Sequence, residues 1–99
     1  MVKHIIIWKL KDEYSASQKS EYMEKIKKDL EALSGKIPGL VEIKVQTTSL
    51  PSSSGDLMLD TTFLSEEALK DYQKNPDHLS VATFVRSVVG SRLSLDYEL

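Results

Sequence analysis

Hydrophobic and polar positions alternate from Val2 to Leu10, which predicts a β-strand with Val2, His4, Ile6, Trp8 and Leu10 on one face and Lys3, Ile5, Ile7 and Lys9 on the other. Both faces are apolar at the centre. A single layer of helices covers one face only, so the face carrying Ile5 and Ile7 calls for a second cover. From Ser15 the period becomes helical. Ser15 stands three residues before Gln18 in a capping-box arrangement, and Tyr22, Met23, Ile26, Leu30 and Leu33 share one face of a helix that Gly35 is expected to end. Pro38 and Gly39 turn the chain. Val41, Ile43, Val45 and Thr47 then alternate with Glu42, Lys44 and Gln46 in a second strand over Leu40 to Ser49.

The stretch "LPSSSGD", Leu50 to Asp56, has no period and is rich in turn residues, so it predicts a mobile connection. A third strand follows over Leu57 to Leu64, with Leu57, Leu59, Thr61 and Phe63 on one side, and it forms a hairpin with the second. Ser65 followed by Glu66 and Glu67 starts a short helix carrying Ala68, Leu69 and Tyr72. Asn75 and Pro76 stop it and restart a second helical segment, since Asn caps well and Pro at the first helical position gives up no needed N–H. Gly90 is expected to end that segment, and Arg92 to Leu99 reads as a closing strand with Leu93, Leu95 and Tyr97 on one face. The order β-α-β-β-α-β predicts an α+β, ferredoxin-like fold with a four-stranded antiparallel sheet and helices on one side. Residues 1–99 are read as a single domain.

A domain of this size hides only about 65% of the surface its unfolded chain exposes, so a covering partner adds real stability. Thirteen basic and fifteen acidic residues give a net charge of −2. The densest basic run, Lys25 to Lys28, is interleaved with Glu21, Glu24 and Glu31 at helical spacing, which describes a solvated face and argues against nucleic-acid binding. The chain has no cysteine, which removes thiolate chemistry and disulfides and fits a cytoplasmic setting. Ile5 to Trp8 is too short an apolar run for a membrane span.

The histidines carry what chemistry there is. On a wheel of about 100° per residue, His78, Ala82, Val85 and Val89 share one stripe of the last helix, so His78 faces the sheet. It also lies in the first turn, where burial and the helix dipole both favour a neutral imidazole. His4 shares its strand face with Ile6 and Trp8, and Tyr72 lies just before the helix break, so a His, a second His and a Tyr are expected to open onto one space. The competing view makes both histidines hydrogen-bonded core residues and Trp8 core packing. No carboxylate is evident beside the histidines, so no metal site is predicted, and no phosphate loop, nucleophile elbow or other cofactor motif occurs.

In the segments "VKHIIIWKLKDE", "TTFLSEEALKDYQKNPDHLSV" and "LDYEL" the chain resembles the stress-responsive dimeric α/β-barrel (Dabb) family over nearly its whole length. The resemblance implies a homodimer formed through the sheet face that carries Ile5 and Ile7, with a pocket between helices and sheet. A plant member is an aldol cyclase that uses Tyr-x₅-His, a spacing matched here by Tyr72 and His78, and its first-strand histidine corresponds to His4. The resemblance implies His78 as general base and Tyr72 as its assistant. It also implies a lining of His4, Ile6, Trp8, Tyr22, Ile26, Leu59 and Val89. Trp8 replaces a small aliphatic residue of that cyclase, Ile26 a tyrosine and Val89 a tryptophan, so the lining has been rebuilt. Three functions stay open: a module binding a small apolar or aromatic ligand, a cofactor-independent lyase or cyclase, and a purely structural dimer.

Overall fold

A computed structural model describes residues 1–99. Its elements are β1 (Val2–Leu10), α1 (Ala16–Glu31), β2 (Leu40–Gln46), β3 (Leu57–Phe63), α2 (Glu66–Lys74), α3 (Pro76–Val88) and β4 (Val89–Glu98). The four strands form one antiparallel sheet in the order β2-β3-β1-β4, the ferredoxin-like arrangement. In β1 the alternation works as the sequence predicts. Val2, His4, Ile6, Trp8 and Leu10 are buried beneath the helices, and Ile7 on the opposite face is exposed.

The caps are those written in the sequence. The Ser15 hydroxyl accepts from the Gln18 backbone while the Gln18 side chain accepts from the Ser15 N–H, completing the capping box. Ser65 caps α2 by accepting from the Ala68 N–H. Asn75 is shared. It closes α2 and caps α3 by accepting from the Asp77 N–H, with Pro76 directly behind it.

Four boundaries differ from the sequence pattern. First, α1 stops at Glu31, short of Gly35. Beyond it the chain tightens into i→i+3 bonds (Leu33 N–H to Leu30 O, 3.0 Å; Lys36 N–H to Leu33 O, 3.0 Å), which bury Leu33 and Ile37 under the sheet layer. Gly35 and Gly39 take positive φ in the turns that follow. Second, β2 ends at Gln46 and its register against β3 shifts between Leu40 and Glu42. The extra residue resets the alternation, so Ile43 and Val45 are buried while Val41 is exposed. Third, β3 ends at Phe63, one residue before Leu64. Fourth, α3 ends at Val88 and β4 begins at Val89, so Gly90 lies inside the strand, where the β1–β4 register shifts next to Lys9 and Leu10.

The loop from Leu50 is pinned at its far end. The Asp56 N–H donates to the Trp8 carbonyl and the Asp56 carboxylate accepts from the Leu10 N–H, both at 2.8 Å. These bonds hold the end of β1, and with it Trp8, in place. At the outer edge of the sheet, Lys27 donates to the Val45 carbonyl and Glu31 accepts from the Val45 N–H, fastening α1 to β2.

Candidate functional site

The helix-facing side of the sheet and the inner face of α3 do not close completely. Between them lies a cavity of about 410 Å³. Ile6 and Trp8 of β1 and Leu59 of β3 contribute from the sheet, Leu30 from α1, and Ala82, Val85 and Val89 from α3 and the start of β4. The polar part of the wall consists of Gln73, His78, Arg86 and Arg92.

His78 occupies the third position of α3, fixed there by the Asn75 cap and Pro76. Its ring lies 4.1 Å from that of Tyr72, centroid to centroid, at an interplanar angle of 38°. His78 Nδ1 and the Tyr72 hydroxyl are both buried and have no hydrogen-bond partner. Burial lowers the His78 pKa below the ordinary imidazole value, and the Arg86 guanidinium and His4 push it the same way. The ring is therefore neutral at pH 7 and able to take a proton. Burial raises the Tyr72 pKa well above the ordinary phenol range, so this hydroxyl remains a hydrogen-bond donor.

The expected convergence of two histidines and a tyrosine on one space needs correction. Only His78 reaches the cavity wall. Tyr72 is 1% exposed and His4 2%, and both sit behind it in the core. Phe63 lies 4.9 Å from Tyr72, and His4 lies 6.5 Å from both rings, so the aromatic side chains form a row running from β1 to α3. Large rings at adjacent positions fill the space that the sequence pattern leaves open. Tyr22 and Ile26 also lie away from the cavity. Tyr22 stacks edge-on with Tyr14 and Phe84 between α1 and α3, and Ile26 is fully enclosed in the core.

A second correction concerns the carboxylate. Asp96 of β4 stands directly opposite His4 in the β1–β4 register, and His4 Nδ1 donates to its Oδ1. This bond fixes the His4 tautomer and orientation. No group of three or more His, Cys, Asp or Glu side chains suited to a metal ion is present.

Residues 2–99 match the family described as Stress responsive A/B Barrel Domain, Dabb. The chain belongs to the Dabb family. Among its curated relatives is olivetolic acid cyclase of Cannabis sativa, 30% identical across 97% of this chain and 94% of the relative. A dimeric protein of unknown function and ferredoxin-like fold from Bacteroides fragilis superimposes with a TM-score of 0.92 at 30% identity, over 99% of this chain and 95% of its own. Hydroxynitrile lyase from Passiflora edulis shares the fold, with a TM-score of 0.78 at 21% identity over 97% of this Dabb chain and 90% of the lyase. No helix here is long and apolar enough to cross a membrane.

Beyond the expected residues, the structure adds Gln73, Arg86, Arg92 and Asp96 to the surroundings of the site. Arg86 stands eight residues after His78, about 80° round the helix, on the flank of the inward stripe. Arg92 and Asp96 occupy the β4 face opposite Leu93, Leu95 and Tyr97, so their side was implied by the alternation of the strand.

Proposed function

We propose that this Dabb protein is a homodimeric binding domain that holds a small, largely apolar or aromatic ligand in the cavity between α3 and the sheet. The carrying observation is the cavity itself, which is apolar over most of its wall and has an imidazole in that wall. Its volume falls in the range of small-molecule sites, roughly 300–1,000 Å³. The homodimer forms through the sheet face of Ile5 and Ile7, and dimeric relatives of the same fold support that assembly. Octan-1-ol is a suitable neutral probe. It should change the emission of Trp8, the only tryptophan in the chain, and Ala82→Phe, which fills the cavity, should abolish the change. An unaltered response in Ala82→Phe would place the alcohol elsewhere and sink the proposal.

A second reading is favoured by one specific contact, the stacking of His78 on Tyr72 with the buried Nδ1 and hydroxyl both unpartnered. Here the bound molecule is a carbon acid. His78 takes a proton from a C–H activated by a neighbouring carbonyl and returns it to oxygen or to a leaving group, with no cofactor. Tyr72 holds the imidazole, and Asp96 holds His4 behind it. The likeness to a cyclase supports this reading. It predicts a kcat/KM profile on a 1,3-diketone thioester that rises through the lowered His78 pKa and disappears in His78→Ala. Exposed Lys25→Ala serves as the control. Equal rates in the two variants would remove His78 from the chemistry.

A further inference from the structure

Of the thirteen basic residues in the chain, eleven are lysines and two are arginines. Both arginines, Arg86 and Arg92, line the cavity, and no lysine does. They come from different elements: Arg86 from the last turn of α3, and Arg92 from β4, where it stands opposite Trp8. Neither guanidinium makes an ion pair or a side-chain hydrogen bond, whereas lysines form five ion pairs across the surface. The cavity wall contains no carboxylate, although the chain as a whole is acidic. A cation in the last turn suits the dipole of α3, which accounts for Arg86 alone. It gives no account of Arg92.

Arginine differs from lysine in offering a planar, bidentate fork of donors to an oxyanion, and it gives up less hydration when it does so. We propose that the cavity selects ligands with an anionic head, a carboxylate, on an apolar body, the head held between Arg86 and Arg92 and the body lying against Trp8, Leu59 and Val85. This rests on the binding-cavity reading above and gives its ligand a charge. The acid end lies at the arginines and the body along the apolar wall.

The test uses four probes of one chain length, octanoate, octan-1-ol, octylammonium and octyl phosphate, titrated against the intact protein at neutral pH and low salt with Trp8 emission as readout. Octanoate should bind roughly tenfold more tightly than octan-1-ol, as charge-assisted hydrogen bonds allow. Octylammonium should bind most weakly, and the preference for octanoate should shrink as salt is added. Arg86→Gln and Arg92→Gln, both at exposed positions, should each reduce the ratio of octanoate to octan-1-ol affinity, and the double variant should abolish the preference. If octanoate and octan-1-ol bind equally, the charge selection is overturned and the cavity reading survives. A response to none of the four overturns both. Tight binding of octyl phosphate, with octanoate no better than octan-1-ol, overturns the carboxylate assignment. An undiminished preference in the double variant overturns the role of the arginines.

Discussion

His78 shows how far one residue can be read and where reading stops. The helical stripe and the Asn75-Pro76 restart are enough to point it inward and to predict a neutral ring, and the structure agrees on both. Its close stacking on Tyr72, with Tyr72 buried behind it, was hidden, because that depends on how α2 and α3 settle on the sheet. The lowered pKa has a consequence for stability. As pH falls below about 6.5, the ordinary imidazole value, the unfolded chain takes up a proton that folded His78 refuses. Stability is thus full above that value and falls as pH drops toward the folded pKa. Between pH 7 and 5 the melting temperature of the native protein should fall more steeply than that of His78→Gln, measured by calorimetry. Parallel curves would show that the ring titrates alike in both states. Gly39 makes a simpler case: φ is +80°, and a Cβ there would meet the Ala68 Cβ at 2.5 Å. Gly39→Ala should lose roughly 1–3 kcal/mol in urea unfolding, since it adds a clash to a strained backbone.

Among elements, those announced by caps were the readable ones. Ser15-x-x-Gln, Ser65 before two glutamates, and Asn75-Pro76 each name a helix start through a hydrogen bond between near neighbours, and all three form. Helix ends and strand irregularities were not readable in the same way. The early stop of α1 and the displacement of Val41 arise from tertiary burial of Leu33, Ile37 and Ile43, which no local pattern expresses. The partnership of His4 with Asp96 likewise depends on register between strands at opposite ends of the chain. Asn75 bears more than a usual cap because one residue closes α2 and opens α3. Asn75→Ala should cost about 1 kcal/mol in chemical denaturation, with Asn75→Asp retaining most of it. It should also loosen the turn carrying His78, seen as faster amide exchange at His78 and Leu79. Unchanged exchange would separate the cap from the site.

For the whole molecule, the sheet face away from the helices is unfinished. Leu93 is 71% exposed and Leu95 66%, beside Ile7 at 41% on the adjacent strand. Covering each leucine would contribute about 1.5–3 kcal/mol, a large gain for a chain of this size. The sequence pattern identified this surface through the two-faced first strand, and β4 widens it. Light scattering should give the mass of a dimer at micromolar concentration, and Leu95→Asp should shift it to the monomer. A dimer that survives Leu95→Asp would move the interface elsewhere.

The fastening of Val45 by Lys27 and Glu31 has a consequence for how such molecules can join. At that point β2 offers no free N–H or C=O to a visiting strand, while β4, the other border of the sheet, has no such clasp. Head-to-tail chains, in which the β4 of one copy extends the β2 of the next, would propagate without end, and the clasp obstructs one position on the receiving side. Like meeting like, β4 side to β4 side or face to face, is not obstructed and is used up after two copies. Lys27→Ala with Glu31→Ala frees that position of the edge and should increase association beyond two copies, read as faster-sedimenting species, and an unchanged sedimentation profile would show that the clasp does not guard the edge.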